Sequence, residues 1–299
     1  MIKAKGIVKQ FDTVLALDNF EMNVEKGSIY GLIGSNGAGK TTIINHLTGV
    51  LRPDEGSILI NGEPVLENNE IKQKVLCIND EWFYFAGYTV KEMARLYKSI
   101  YRSFNEERYK ALGSQLDIDE NLQIRRLSKG MKKQVAFRIV LSCMPEVLIL
   151  DEPLDGLDPV MRKRIMNVII NDVAEREMTV LVSSHNLREL EDLCDHVGII
   201  HKGKMVIEKS LSDLKGNIAK FQLAFKDGFP TGLSEKLNIL HHTETGSVHT
   251  LIIKGNEADT LNYINEFSPL LCDRVKLTLE EVFIYELGGL GYDFESIIV

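Results

Sequence analysis

The chain has 299 residues and a formal net charge of −8 at pH 7, and 44% of its residues are hydrophobic. This composition supports a sizeable core and excludes bulk disorder, and the length suits two domains or one α/β domain with an appendage. The four cysteines include no CxxC pair, which argues against a disulfide framework and favours a reducing cytosol. No apolar run reaches the roughly 20 residues that span a bilayer, and the acidic balance weighs weakly against nucleic-acid binding. We therefore expect a soluble, intracellular protein.

A glycine-rich loop lies between two apolar segments near the start of the chain. Ser28–Ile33 predicts a buried strand, and Thr42–Leu47 has apolar residues at helical spacing. The residues between these segments are Gly34, Ser35, Asn36, Gly37, Ala38, Gly39, Lys40 and Thr41. They match GxxxxGK[ST] in its required setting of strand, loop and helix, in which glycines let backbone N–H groups converge on phosphate oxygens. The pattern predicts a nucleotide-binding site, with Lys40 on the phosphates and Thr41 on Mg²⁺.

Acidic residues end a second continuous apolar run. Val147–Leu150 is typical of a central parallel strand, and Asp151 and Glu152 follow it directly. Carboxylates at the carboxyl end of such a strand lie at the sheet edge where ligands bind. We expect Asp151 to hold Mg²⁺ through a water molecule and Glu152 to polarise the attacking water or accept its proton.

Further motifs follow in an order that matches a known family. Leu127–Met131 lies between the two sites, Asp155–Asp158 follows them, and a predicted strand over Thr179–Ser184 ends at His185. In this order the motifs resemble those of the ATP-binding subunits of ABC transporters, over about residues 2–212. The resemblance implies an α/β fold, a P-loop NTPase core with a helical subdomain inserted at about residues 88–145.

The resemblance also implies a role for each matched residue. The loop is similar to the Walker A motif, Glu152 to the catalytic glutamate and His185 to the switch histidine. Leu127–Met131 resembles the signature that contacts the ATP of a second subunit, and Phe11 falls where an aromatic ring stacks on adenine. A core phenylalanine is the alternative for Phe11. The implied nucleotide contacts are Phe11, Ser35, Asn36, Gly37, Ala38, Gly39, Lys40, Thr41, Thr42, Ser128 and Gly130.

The chain departs from the common family pattern at the signature and at the Q-loop. Lys129 and Met131 replace glycine and glutamine, and LSKGM variants resemble subfamilies that export peptides, antibiotics and lantibiotics. The Q-loop position falls on Asp80, with Glu81 as the competing assignment, and an acidic residue there resembles the E-loop of lantibiotic and bacitracin resistance transporters. Asp80 is therefore predicted to support catalysis and to contact Mg²⁺. The predicted metal ligands are Thr41, Asp80 and Asp151.

Residues 215–299 predict a small α+β appendage to an ATP-binding domain at residues 1–214. The predicted strands are Phe221–Phe225, Val248–Ile253 and Arg274–Leu277, and the predicted helices are Gly232–Leu240, Glu257–Phe267 and Leu279–Glu286. His241, His242 and His249 lack ligand spacing and are interpreted as surface residues. Dimer contact, regulation and stability remain open as roles for the appendage.

One cassette per chain implies a dimer, because each ATP in the family lies between the Walker motifs of one subunit and the signature of the other. A homodimer would supply both the Walker motifs and the signature at each ATP, and a heterodimer with a related cassette is the alternative.

The resemblance also implies separate transmembrane permease subunits, which would hold the chain on the inner face of the membrane. Trp82–Phe85 borders the groove that receives a permease helix in the family, or else packs in the core. A basic cluster over Arg125–Lys133 is interpreted as a solvated face, with proximity to ATP phosphates as the alternative.

The predicted function is that of an ATP-hydrolysing subunit of an ABC exporter, driving transport of peptides, antibiotics or other amphipathic molecules by ATP-dependent dimer closure. The substrate class rests on analogy through the departures described above. The alternatives are a non-transport ABC ATPase on ribosomes or DNA and a P-loop kinase. The single cassette and negative charge weigh against the first alternative, and the signature weighs against the second.

Overall fold

The computed structural model describes residues 1–116, 118–216 and 218–289. Its Cα positions divide the chain into two compact units. The first unit contains Met1–Asn186 and Leu193–Glu208, and the second contains Leu187–Asp192 and the residues from Lys209 on. The domain boundary at residue 214 stays a prediction. Across the three described stretches, no helix combines the length and the apolar character needed to span a membrane.

The elements up to residue 210 include two sheets and the helices that join their strands. The strands are β1 (Ile2–Phe11), β2 (Val14–Val24), β3 (Ile29–Ile33), β4 (Glu55–Ile60), β5 (Glu63–Pro64), β6 (Val75–Ile78), β7 (Val147–Asp151), β8 (Thr179–Ser184), β9 (His196–His201) and β10 (Lys204–Ser210). The helices are α1 (Lys40–Leu47), α2 (Asn69–Lys72), α3 (Val90–Ile100), α4 (Glu106–Leu116), a 3₁₀ turn (Ile124–Arg126), α5 (Lys129–Ser142) and α6 (Pro159–Arg176).

A mainly parallel sheet with strand order β10-β9-β3-β8-β7-β6 carries the predicted site. Every residue of β3, β7 and β8 is buried, as their continuous apolar runs predict for strands covered on both faces. These three strands are parallel neighbours, with Asp151 opposite Ser183 on β8. Their carboxyl ends therefore meet at one edge, which brings the glycine loop, Asp151 and His185 together.

An antiparallel sheet with strand order β2-β1-β4-β5 completes the core of the first unit. One hydrophobic cluster joins its side chains, such as Phe20, to Leu47 of α1 and Ile149 of β7. The helix that carries the lysine of the glycine loop is thus anchored on one side by the core.

Helices dominate the segment between β6 and β7, as expected for residues 88–145. Thr89 begins α3 with a capping box, in which its hydroxyl accepts from the Glu92 N–H and the Glu92 carboxylate accepts from the Thr89 N–H. Asp172 of α6 is only 2% exposed and pairs with Arg108 of α4 and with Arg176. This buried carboxylate ties the helical segment to the helix that follows β7.

The second unit is an α+β fold. Its helices are α7 (Leu187–Glu191), α8 (Leu211–Gly216), α9 (Leu233–Lys236), α10 (Glu257–Glu266) and α11 (Leu279–Gly289), and its strands are β11 (Ile218–Ala224), β12 (Asn238–Thr245), β13 (Val248–Lys254) and β14 (Leu271–Val275). The order β12-β13-β11-β14, with antiparallel pairing and the chain order β-α-β-β-α-β, is the ferredoxin-like arrangement. Phe221, Leu233 and Ile264 pack in its core.

Two sequence-based expectations for this unit are wrong. The helix predicted over Gly232–Leu240 ends at Lys236, and β12 begins at Asn238. His249 is not a surface residue, because it is 5% exposed and its ring centroid lies 4.9 Å from that of Phe229. Its Nδ1 lies 3.2 Å from Nε2 of the exposed His242.

Candidate active site

The glycine loop leads directly into α1, whose amino terminus faces a cavity. Gly39 has φ +114°, and a Cβ there would lie 2.9 Å from the carbonyl oxygen of Ala16, so only glycine fits. Gly39 also caps α1 and has no side chain, which leaves the N–H groups of the first turn for an anion. Lys40 is 6% exposed, and its ammonium donates to the carbonyls of Gly34 at 2.5 Å and Ser35 at 3.3 Å. The loop therefore concentrates N–H donors and one ammonium at a single point.

A cavity of about 460 Å³ opens at this point. The predicted phosphate contacts that line it are Ser35, Asn36, Gly37, Gly39, Lys40, Thr41 and Thr42. Ala38 lies in the core beneath, at 4% exposure. Asp80, Asp151 and Glu152 line the same cavity, so the structure brings the predicted acidic residues to the predicted loop.

Asp151 and Thr41 lie close enough to share a metal ion. The Thr41 hydroxyl donates to Asp151 Oδ2 at 3.1 Å. Adjacent oxygens around an octahedral Mg²⁺ with bonds of about 2.1 Å are roughly 3 Å apart, so this pair fits such an ion. The other oxygen, Oδ1, accepts a 2.5 Å hydrogen bond from Ser183 Oγ. Ser183 was not identified as a site residue from the sequence alone. Its position at the carboxyl end of β8, opposite Asp151 in the parallel pairing of β7 and β8, could have indicated it.

Glu152 is held by contacts to both its backbone and its carboxylate. Its φ is +47°, a left-handed conformation that is uncommon outside glycine. Its N–H donates to the carbonyl of Ser183 at 3.3 Å and to the Ser183 hydroxyl at 3.2 Å. Its Oε2 lies 2.9 Å from Nδ1 of His185, and its Oε1 lies 3.5 Å from the ammonium of Lys40. The predicted base, switch histidine and phosphate-loop lysine therefore form one cluster.

Asp80 borders both the nucleotide cavity and a neighbouring cavity of about 530 Å³. Its Oδ1 lies 3.1 Å from the ammonium of Lys129 and 3.1 Å from that of Lys133. Partial burial raises the pKa of Asp80, but the positive charges of these two lysines outweigh it and hold the pKa below its usual value. The interpretation of the basic cluster as a solvated face is wrong for Lys133, which is 2% exposed.

The predicted signature residues Ser128 and Gly130 lie at the start of α5. The Ser128 hydroxyl caps the helix by accepting from the Met131 N–H at 3.2 Å, and its own hydrogen stays available for a further acceptor. A Cβ on Gly130 would lie 2.4 Å from the carbonyl oxygen of Gly156, so this glycine is in close contact with the loop after β7. Neither Ser128 nor Gly130 lines the nucleotide cavity of its own chain.

The predicted aromatic contacts differ in exposure. Phe11 is 43% exposed, so the alternative of a core side chain is wrong, and the stacking role stays a prediction. Trp82 is 9% exposed and donates from Nε1 to the Tyr97 hydroxyl at 3.2 Å, whereas Phe83 is 68% exposed. Burial of Tyr97 raises its pKa to about 12. Trp82 thus packs in the core, as one alternative expected, and Phe83 does not.

Comparison with known proteins identifies the family. The ABC transporter family model matches residues 17–155. The ABC transporter ATP-binding protein YtrB of Bacillus subtilis (strain 168) is 29% identical over 97% of this chain and 99% of its own length. The bacitracin transport ATP-binding protein BcrA of Bacillus licheniformis is 31% identical over 97% of this chain and 98% of its own length.

A solved ATP-binding subunit of an ABC transporter, 27% identical, superposes with a TM-score of 0.67 over 72% of this chain and 92% of its own. The α/β fold expected from the P-loop resemblance is therefore confirmed. Identity of 31% across nearly the whole of BcrA, together with the matching family model, shows that the chain belongs to the ATP-binding proteins of ABC transporters and is an ATPase of that family.

Proposed function

We propose that this ATPase drives the export of peptides, antibiotics or other amphipathic molecules, and that ATP closes a dimer of two such subunits. The observation that carries the proposal is the carboxylate of Glu152, which lies between Lys40 and His185 at the wall of the nucleotide cavity. The substrate class is supported by the name of BcrA, a bacitracin transport protein, and by the departures at Lys129 and Asp80. Relatives that act in transport favour this function over one on ribosomes or DNA.

Hydrolysis needs a proton acceptor for water beside the terminal phosphate. Glu152 Oε1 is buried, and none of the described residues donates a hydrogen bond to it. It lies 3.5 Å from the Lys40 ammonium, which is held among the loop carbonyls. In this position the carboxylate accepts the proton of the attacking water, while the imidazole of His185 fixes its orientation. Lys40 and the N–H groups at the start of α1 stabilise negative charge that develops on the phosphate.

Mg²⁺ is expected with the nucleotide. Thr41 and Asp151 would hold it, because their oxygens have the separation of adjacent ligands. Asp80 stays a predicted third ligand, and it faces the same cavity. When bound, the ion would supply positive charge that offsets the charge of the phosphate oxygens.

A homodimer is the proposed assembly, with a heterodimer containing a related cassette as the alternative. Ser128 and Lys129 are exposed at the amino end of α5, and neither lines the nucleotide cavity of its own chain. A second subunit can therefore present its ATP to this end of the helix, and the partial positive charge there favours the phosphate.

The partners proposed in the membrane are separate permease subunits. Phe83, Phe85 and Tyr88 form an aromatic patch, with exposed fractions of 68%, 44% and 37%. Their rings lie in contact, with centroids 5.1 Å and 4.9 Å apart. Exposed, clustered aromatic rings are typical of interface anchors. Docking of a permease helix on this patch would keep the chain on the inner face of the membrane.

The test is size-exclusion chromatography with light scattering on Glu152→Gln, with and without Mg-ATP. Slow hydrolysis is expected to trap the closed dimer, so that ATP doubles the measured mass. Ser128→Arg in the same background is the matched control, because a bulky side chain at the start of α5 blocks the second subunit's phosphate. A chain that binds ATP and stays monomeric in both variants would contradict self-sufficient dimer closure.

A further inference from the structure

Lys133 carries a buried charge that the proposed chemistry does not yet use. It lies on α5, and its side chain is 2% exposed. Its ammonium donates to the carbonyl oxygen of Glu152 at 2.6 Å and lies 3.1 Å from Oδ1 of Asp80. Removing an ammonium from water is costly unless hydrogen bonds and an opposite charge compensate it. The two contacts supply both, so Lys133 connects the Q-loop position to the end of β7.

The contact reaches the backbone of Glu152. That residue has φ +47°, and such a conformation costs free energy unless neighbouring groups hold it. Ser183 holds the N–H of Glu152 from β8, and Lys133 holds the carbonyl from α5. The peptide groups on both sides of Glu152 are thus fixed, which directs the carboxylate towards Lys40 and His185.

Asp80 provides the charge that lets Lys133 stay buried. Its carboxylate Oδ1 lies 3.1 Å from the Lys133 ammonium, whereas the contact of that ammonium with Glu152 is to a neutral carbonyl oxygen. Lys129, which is 56% exposed, pairs with the same oxygen of Asp80 and holds it against the helix. The acidic residue at the Q-loop position and the lysines of α5 therefore form one electrostatic unit.

We infer that Lys133 is a positioning residue for Glu152, and that Asp80 is the counter-ion that keeps Lys133 in place. The inference rests on the proposed role of Glu152 in hydrolysis. It gives Asp80 a function within its own chain that does not require contact with Mg²⁺. It also makes the orientation of the proposed base depend on the placement of the signature helix.

The test measures ATP hydrolysis and ATP binding separately in the purified full chain. Lys133→Met keeps the apolar stem and removes the charge, and it is expected to lower kcat roughly 10- to 100-fold. ATP affinity should change less than about threefold, because the loop and Lys40 are untouched. Lys132→Met is the matched control, since its ammonium lies over the Tyr84 ring and should leave kcat unchanged.

A double-variant cycle distinguishes positioning from a general structural role. In the Glu152→Gln background, where the base is already removed, Lys133→Met should have almost no further effect on the residual rate. An equal fold-loss in both backgrounds, or a kcat for Lys133→Met that matches Lys132→Met, would overturn the inference. Wild-type turnover of Glu152→Gln would instead overturn the proposed function.

If Lys133→Met does not fold, Asp80→Asn takes its place, because Asp80 is 43% exposed and the exchange conserves shape. It is expected to lower kcat at saturating Mg²⁺, with partial recovery in Asp80→Glu, which restores the charge. Recovery of full turnover in Asp80→Asn at excess Mg²⁺ would mean that Asp80 acts only as a metal ligand, and the inference would then be wrong.

Discussion

The contact between Gly130 and Gly156 allows two reasons for a glycine in the signature to be separated. One reason is access of a phosphate to the backbone N–H groups at the start of α5, and this matters only when ATP of a second subunit is present. The other is the close approach within the chain, where a Cβ on Gly130 would lie 2.4 Å from the Gly156 carbonyl oxygen. The variant Gly130→Ala tests both, because only the second reason predicts an effect on the isolated chain without nucleotide.

The size of the effect follows from the geometry. A carbon and an oxygen that do not bond need a separation above about 3 Å, so the two backbones must move apart by roughly 0.6 Å or more. Overpacking of this kind costs about 1–3 kcal/mol, and the better helix propensity of alanine offsets up to about 1 kcal/mol. With an overpacking cost near 2 kcal/mol the net cost is about 1 kcal/mol, which corresponds to a fall in Tm of roughly 2–4 °C. Displacement of the signature should also lower turnover on the order of 10- to 100-fold.

Thermal unfolding without nucleotide measures the first effect, and steady-state ATP hydrolysis measures the second. Gly87→Ala is the control, because a Cβ there meets nothing within 4 Å. If Gly130→Ala had the wild-type Tm and lost only ATP-dependent activity, the close approach of Gly130 to Gly156 would contribute nothing to stability, contrary to the expected fall in Tm.

Further predictions concern stability, reactivity and pH. Asp172→Asn should lower the Tm by roughly 5–10 °C, because it removes a carboxylate that is 2% exposed and leaves Arg108 and Arg176 without this counter-charge, at a cost of about 2–4 kcal/mol. By contrast, Glu70→Gln, in an ion pair whose acidic side chain is 71% exposed, should leave the Tm within about 1 °C. Iodoacetamide at pH 8 should alkylate Cys272 before Cys77, as judged by peptide mass spectrometry, since burial raises the pKa of Cys77 to about 12. The pKa of Asp80 is lowered in the folded chain, so its stabilising contribution is present above the usual value of 3.8 and is lost as the pH falls below it. The Tm difference between wild type and Asp80→Asn should therefore stay constant from pH 8 to about pH 5 and narrow below about pH 4.

Buried elements of the fold could be predicted from the sequence, and an edge strand could not. The continuous apolar runs of β3, β7 and β8 identify central parallel strands, because both faces of such strands are covered. By contrast, β12 lies at the edge of its sheet, and most of its side chains are exposed. It therefore lacks the alternation that marks a half-buried strand, and leucines at helical spacing in Gly232–Leu240 predicted a helix instead.

Some residues of the candidate site could likewise be predicted from the sequence, and others could not. Residues of the loop and of the strand ends could be assigned because each lies in a short motif whose order along the chain is informative. Lys133 could not, because its contacts to Asp80 and Glu152 join three segments that are distant in sequence. A basic run such as Arg125–Lys133 usually predicts a solvated face, and only the packing of α5 shows which of its charges is buried.

The carboxylate of Asp80, which pairs with both Lys129 and Lys133, has a consequence for engineering and for evolution of the sequence. Exchanging Asp80 alone for the glutamine common in the family would leave the buried ammonium of Lys133 without a counter-charge, and exchanging the lysine alone would leave the acid without its buried partner. Each single exchange is expected to lower turnover more than the two exchanges together. A graft of this Q-loop into another cassette would therefore succeed only if Asp80, Lys129 and Lys133 were transferred as a set.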